Sequence, residues 1–377
     1  MRIAIYAIAL NEIKHVSRFL ETCAAADEII VCDTGSTDGT VEALRAGGAT
    51  VHSISIKPWR FDVARNVSLA LLPPDLDVCI ALDLDELLVR GWRDEIEARW
   101  VPGVTTRGHY LYAFSHLPDG SPDNEFWQDK VHARYGYTWR HACHEAVFPD
   151  LRIVENHVTF RHFRIDHWPD REKSRSQYLP LLEFCVQEDP FNARDAFTLG
   201  REYFFAGKYE LAELELRRYF ALPRGNWPEQ RITAQTILAR CRDHAGDVAG
   251  ALRFYRAATE PAPKTRHPWV TLATALYRYG QWQECYDVAC RALTFSDKPS
   301  SNADNRKSAR VDPHDLAAVA AWHIGKPAAA LRHAEAALEG DPHNARLAYN
   351  VRLLGRAVDA LDESGQRARA PETILPP

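Results

Sequence analysis

The sequence predicts an α/β domain over residues 1–170, built on an open and mostly parallel sheet, followed by an all-α helical-repeat domain over 171–363. Two observations carry this. As far as about residue 165, short β-branched runs alternate with amphipathic helical patterns, which is how a strand–helix–strand sheet reads. From about 171 onward only the helical period remains, rich in Ala, Leu and Arg, and it recurs. A chain of 377 residues, 46% of them hydrophobic, has material for two cores.

The predicted strands are Arg2–Ala9, Glu28–Asp33, Thr50–Ile56 and Val78–Leu82. Between the first two, Ile13–Ala25 places Val16, Phe19, Leu20 and Cys23 at helical spacing. Between the next two, Thr37–Ala46 opens on the N-cap residue types Ser36, Thr37 and Asp38 and closes at Gly47-Gly48. The resulting order is β-α-β-α-β-α-β, and in such sheets ligands bind beyond the carboxyl ends of the strands. The polar residues there are Asn11 and Glu12, then Asp33, then Asp83, Asp85 and Glu86.

In the second half, Gly207-Lys208, Gly246-Asp247, Gly280-Gln281 and Gly325-Lys326 each read as the turn of a helical hairpin. Five residues after each glycine comes a small residue (Ala212, Ala251, Cys285, Ala330), and seven before it another (Gly200, Ala239, Ala273, Ala318). Small residues at both positions let paired helices approach closely. Ala258 with Pro263 and Ala337 with Pro342 complete a pattern that resembles tetratricopeptide repeats, with glycine spacings of 39, 34 and 45. The segment Ser296–Asp312 is expected to be a surface loop, and residues 364–377 a loose tail.

The net charge of −5 gives no overall pull toward nucleic acid or anionic lipid, so a nucleic-acid partner is unsupported. The apolar start is expected to be a strand and not a signal peptide, and no run has the length of a membrane span. Eight scattered cysteines without a Cys-x-x-Cys pair are expected to be reduced, which fits a soluble cytoplasmic protein.

Asp83 and Asp85 follow an apolar strand, and two hard oxygen donors at such an edge suit Mg²⁺ or Mn²⁺ together with substrate phosphates. The alternative is a solvated acidic turn. Asp33 opens the stretch DTGSTDGT, in which Gly35 permits a tight turn and the helix behind it offers an electropositive end. As a turn with an N-cap it needs no ligand.

Four segments occur in order: IALNE at 8–12, VCDTGSTDGT at 31–40, WRFDVARN at 59–66 and ALDLDE at 81–86. Together they resemble the inverting glycosyltransferases of family 2, over residues 1 to roughly 180. The resemblance implies a GT-A fold, with a Rossmann-like sheet. It implies that Asn11, Glu12 and Asp33 hold the nucleobase and ribose, and that Asp62 and Arg65 face the nucleotide. It further implies that Asp83 lies near the ribose and that Asp85 is the main metal ligand. A guanidinium at 65 can fork onto a diphosphate, although it could instead pair with Asp62 on a helix surface.

The stretch Lys130–Pro149 resembles the acceptor-side segment of repeat-bearing members and contains His144-Glu145. Glu145 is the candidate base, against an ion pair with Arg140 or Arg161, and Asp129 is the fallback. His162 resembles a histidine that follows a strand in these relatives, so it could complete the metal shell or pack the domain junction. His157 and His167 carry no motif and are expected at the surface.

The expected activity is transfer of a sugar from a nucleoside diphosphate sugar, UDP-linked by resemblance, to a hydroxyl or thiol with the aid of Mn²⁺ or Mg²⁺. The acceptor is a peptide, protein or small molecule, and the repeats could also mediate a homodimer. Two rivals remain: a non-catalytic protein that binds nucleotide sugars or recruits partners, and a nucleotidyltransferase. The last would show a glycine-rich loop near the first strand, and Ala7–Asn11 has no glycine.

Overall fold

In the computed structural model, the residues described are 1–169, 178–223, 225, 227–261, 263–295, 313–364 and 374. The expected boundary at 170/171, the expected loop Ser296–Asp312 and, apart from Ser364 and Ile374, the expected tail lie outside them. Two compact units are present: Met1–Asp195, and the chain from Ala196 onward.

The first unit begins β1 (Ile3–Ala9), α1 (Ile13–Cys23), β2 (Glu28–Asp33), α2 (Thr40–Ala46), β3 (Thr50–Ser53), α3 (Phe61–Ala70) and β4 (Val78–Ala81). Strand β1 pairs in parallel with β2 and β4, and β2 in parallel with β3. Alternation explains why β1 is apolar throughout. Ile3, Ile5 and Ala7 enter a core with Phe19, Leu44 and Ile96, while Ala4 and Tyr6 enter another with Leu69, Leu72 and Trp139.

Ser36, Thr37 and Asp38 do not begin α2 as expected. Gly39 intervenes at φ +93°, so the helix starts at Thr40. The polar cluster instead ties two loops together. Ser36 Oγ accepts from the Asn11 N–H at 2.8 Å, Asn11 Oδ1 accepts from the Thr37 N–H at 2.8 Å, and Asp38 accepts from the Ile13 N–H at 3.1 Å.

The chain continues with β5 (Glu86–Leu88), α4 (Trp92–Arg99), β6 (Arg107–His116), β7 (Pro122–His132), β8 (Tyr137–Arg140), β9 (Ala146–Pro149), β10 (His157–His167) and α5 (Tyr178–Glu188). The sheet order is β3-β2-β1-β4-β7-β6-β10-β5, with β8-β9 a separate hairpin. Four of its neighbouring pairs are parallel, but β4/β7, β6/β7 and β10/β5 are antiparallel, so the sheet is mixed. The antiparallel part rests on the long hairpin β6–β7, whose polar, half-exposed residues lack the continuous apolar signature of the parallel strands. A buried chain of hydrogen bonds joins the halves: Trp139 Nε1 donates to the Tyr6 hydroxyl at 2.8 Å, which in turn lies 2.8 Å from His132 Nε2.

The second unit consists of helical hairpins of tetratricopeptide-like pattern. Ala193–Phe205 pairs with Tyr209–Ala221, Pro228–His244 with Val248–Ala257, Arg266–Arg278 with Trp282–Leu293, and Pro313–His323 with Pro327–Gly340; Ala345–Ser364 follows. Gly207, Gly246, Gly280 and Gly325 all lie at φ between +66° and +74°. At each turn the glycine N–H and the next N–H bond back to the carbonyls of the preceding helical turn, as Gly246 to Asp243 and Asp247 to Arg242 do. Ala212, Ala239, Ala251, Ala273, Cys285 and Ala330 are wholly buried. At Gly200 a Cβ would meet Leu216 at 2.7 Å, so this helix pair requires glycine there. All eight cysteines are free thiols, seven of them buried. Among the described residues no helix is long and apolar enough to cross a membrane.

Candidate functional site

At the carboxyl ends of β1 and β4, where the strand order reverses, the first unit contains a cavity of about 620 Å³. Strand β4 stops at Ala81, so the Asp-Leu-Asp segment sits on a turn. Leu84 is buried between two aspartates that both line the cavity.

Arg65 is the centre of the site. It lies within α3, is 3% exposed, and packs over the Trp139 ring at 5.4 Å. Its Nε donates to Glu145 Oε1 at 3.0 Å and its Nη2 to Asp83 Oδ1, while Nη1 is buried with no hydrogen-bond partner. Burial works against the charge of Arg65, but Asp83 and Glu145 outweigh it and raise the pKa above the ordinary arginine value. For Asp83, burial again opposes ionisation, and Arg65, then Lys130, hold the carboxyl below its usual range.

Behind this pair lies Glu86, almost wholly buried. It accepts from Lys130 Nζ at 2.6 Å, from the Tyr112 hydroxyl at 2.8 Å and from the Asp83 N–H at 2.9 Å. Burial opposes the Lys130 charge, yet Glu86 and Asp83 raise its pKa. Asp85 stands apart from that network, with Oδ2 3.4 Å from His167 Nε2. Burial lowers the basicity of His167, but the contact with Asp85 outweighs it and the pKa is raised. The other nitrogen, Nδ1, is buried without a partner.

The structure thus brings Glu12, Arg65, Asp83, Asp85 and Glu145 to one cavity. Asn11, Asp33 and Asp62 serve its frame. Asn11 joins the loops after β1 and β2, and Asp33 accepts from the Gly35 and Ser36 N–H groups at 3.0 and 3.1 Å. Asp62 is paired by Arg60 at 3.0 Å, so Arg65 is left for Asp83 and Glu145. Glu145 accordingly pairs with neither Arg140 nor Arg161, and Asp129 binds Arg107 at 2.8 Å.

His162 is not brought to the aspartates. It lies exposed in an irregular stretch of β10, where the register with β6 shifts between Thr159 and Arg164, and its N–H donates to Glu95. The histidine beside Asp85 is His167, expected at the surface. The register shift in β10 sets which residue reaches the edge, and nothing local in the sequence signals it. Lys130, Tyr112 and Trp139 were also missed as site residues. Lys130 carried one signal, since it opens the acceptor-side stretch.

Five carboxylates (Glu12, Asp83, Asp85, Glu86, Glu145) line the cavity against two permanent cations, Arg65 and Lys130. A diphosphate entering alone would meet this excess of negative charge. Among the described residues no group of three or more His, Cys, Asp or Glu is arranged to hold a metal. Asp85 and His167 face each other at 3.4 Å as an ion pair on the cavity wall.

No family model matches the chain. A tetratricopeptide-repeat-containing protein of Synechococcus elongatus is 26% identical over 318 residues, 74% of this chain and 73% of that protein. A lipopolysaccharide core biosynthesis glycosyltransferase, LpsC of Rhizobium meliloti, is 24% identical over 173 residues, 42% of this chain and 62% of that protein. Among solved structures, MamA superposes with a TM-score of 0.35 at 15% identity, covering 43% of this chain and 80% of its own. The repeat protein YrrB superposes with a TM-score of 0.36 at 14% identity, covering 47% and 82%.

Proposed function

We propose that the first unit is a glycosyltransferase that binds a nucleoside diphosphate sugar, UDP-linked in our reading, with a divalent cation, Mn²⁺ or Mg²⁺. The observation that carries this is Arg65, a buried guanidinium fixed by two carboxylates with one nitrogen still unpartnered at a cavity wall. The partial likeness to LpsC supports it. Asp85 and His167 would hold the cation, which when bound supplies neutralising charge for the diphosphate.

Arg65 Nη1 donates to the leaving diphosphate as its charge develops, from a guanidinium that Asp83 and Glu145 already hold in place. Lys130 holds Glu86, and Glu86 holds the Asp83 backbone, so the turn bearing both aspartates keeps its shape. The acceptor hydroxyl or thiol attacks the anomeric carbon, the bond from that carbon to the diphosphate oxygen breaks, and the acceptor's proton passes to Glu145. A single displacement of this kind inverts the anomeric configuration.

A second reading is that the chain is a partner-recruiting repeat protein whose first unit binds nucleotide sugars without turnover. The repeat-named relative, matched across 74% of this chain, favours it. Repeat arrays present extended concave surfaces for peptides or proteins. A hydrolysis screen of nucleotide sugars with and without Mn²⁺ separates the two. Cation-dependent release of the nucleotide supports the transferase, whereas binding without release for every donor supports recruitment.

A further inference from the structure

We propose that a second cavity, between α1 and the ends of β6 and β10, binds the phosphate of a phosphorylated saccharide, with Arg18 and His116 as its ligands. That this saccharide is the sugar acceptor rests on the transferase reading; the anion site itself does not.

The second cavity, of about 510 Å³, has the opposite electrostatic character to the first. Its ionisable walls are lysine, arginine and histidine, and among the described residues no carboxylate lines it. A cleft lined by one sign of charge concentrates ligands of the other sign. Arg18 projects from α1 with Nη2 3.3 Å from His15 Nδ1, and among the described residues no ion pair to an acid is made by its guanidinium. The His116 side chain is only 4% exposed, and its Nε2 is buried with no hydrogen bond. The nearest carboxylate oxygen, on Asp166, is 3.7 Å away and that residue is held by Arg164 at 2.6 Å. Arg18 and the unpartnered His116 Nε2 line one cavity, and together they offer an oxyanion two donors.

The saccharide follows from the remaining walls. The His116 ring is stacked on Trp168 at 4.2 Å and 3°, which fixes an indole that is still 37% exposed. Phe114, 45% exposed, lines both cavities, and so does His167. A ligand holding its phosphate at Arg18 can therefore lay a sugar ring along flat aromatic faces toward the first cavity. A bilayer presents its headgroups to a protruding patch, whereas these groups line a concavity, so the soluble ligand is the better fit.

The test uses the full chain and calorimetric titration with glucose 6-phosphate, inorganic phosphate and glucose. Glucose 6-phosphate should bind more tightly than either of the others, and Arg18→Ala and His116→Ala should each weaken it about tenfold, the loss of one charge-assisted hydrogen bond. Arg18 is exposed on α1, and circular dichroism together with unchanged UDP binding in the first cavity establishes that its variant is folded. Equal affinity for glucose and glucose 6-phosphate, or an Arg18→Ala chain that binds like the parent, overturns the site. Binding to phosphatidylglycerol-containing vesicles without binding to glucose 6-phosphate overturns the saccharide. Failure of the parent chain to bind UDP, with glucose 6-phosphate bound, supports the anion site and overturns the transferase reading instead.

Discussion

The repeat array and the first cavity solve opposite problems with the same chain. In the array, four turns use one device, a left-handed glycine followed by a small buried residue, and each hairpin buries alanines against its partner helix. In the cavity, Arg65, Asp83, Glu86, Lys130 and Glu145 draw ionisable groups into one buried network, with Arg65 Nη1 and His167 Nδ1 left unpartnered. Local rules all agree in the first region and conflict in the second. Such conflict costs stability and persists where a ligand resolves it.

The largest expected effect follows from that contrast. Arg65→Ala removes the cation that holds Asp83 and Glu145 and should lower sugar transfer by roughly 10²–10³-fold, as loss of a preorganised donor does. The first unit should also lose about 2 kcal/mol, less than a fully buried pair would cost because Asp83 is 38% exposed. Adding Glu145→Gln should restore part of that stability, since one of the two stranded carboxylates is then neutral. Strict additivity of the two changes in a denaturant titration would show that the network is not a unit.

Next comes Asp85, which lies outside that network. Asp85→Ala should abolish cation-dependent turnover while leaving the melting temperature within a degree or two, because its side chain meets only His167 among the described ion pairs. Coincident loss of the circular dichroism signal would assign Asp85 a structural role and erase the distinction drawn between it and Asp83.

What was legible in the sequence follows the same division. The glycine turns and their small partners are local relations, readable at fixed offsets, and β1 to β4 read as short β-branched runs. Asp83 and Asp85 were singled out because they follow an apolar strand, and Arg65 because the segment around it resembles a family motif, although it lies in the middle of α3. Lys130 and His167 were not, since each reaches the cavity from the antiparallel half of the sheet. That half depends on β6 pairing with β7, and on a bulge in β10, neither of which has a local signature. His162 was named through a resemblance and His167 had no motif, whereas the register shift in β10 places His167 and not His162 beside Asp85.

A smaller effect separates the units by pH. His132 is wholly buried, and burial, helped by Arg107 and Arg134, lowers its pKa to about 4, although its bond to the Ala133 carbonyl opposes the shift. Its folded pKa thus lies below the unfolded value of about 6.5, so the unfolded chain takes up the proton first as pH falls. The contribution is fully present above about pH 6.5 and is lost progressively toward pH 4. This group should cost the first unit about 1–3 kcal/mol across that window. Two-transition melting at pH 7 and pH 4.5 should show the first unit falling further than the array. His132→Asn, which does not titrate, should flatten that dependence. Parallel shifts of both transitions would mean that the buried chain of Trp139, Tyr6 and His132 does not control acid stability.

The smallest effect tests the uniformity claimed for the array. An alanine at Gly207, Gly246 or Gly325 would find open space around its Cβ, so the only penalty is the left-handed backbone at φ +72° to +74°. That conformation costs an L-residue about 1 kcal/mol. Each substitution should lower the stability of the second unit by that amount, and because the turns share no partners, pairs of substitutions should add. UDP binding by the first unit should not change. Unequal costs at the three turns would show that packing around each hairpin, and not the shared turn, governs stability. A change in nucleotide affinity would go further, because it would demonstrate energetic coupling between units whose local rules are otherwise independent.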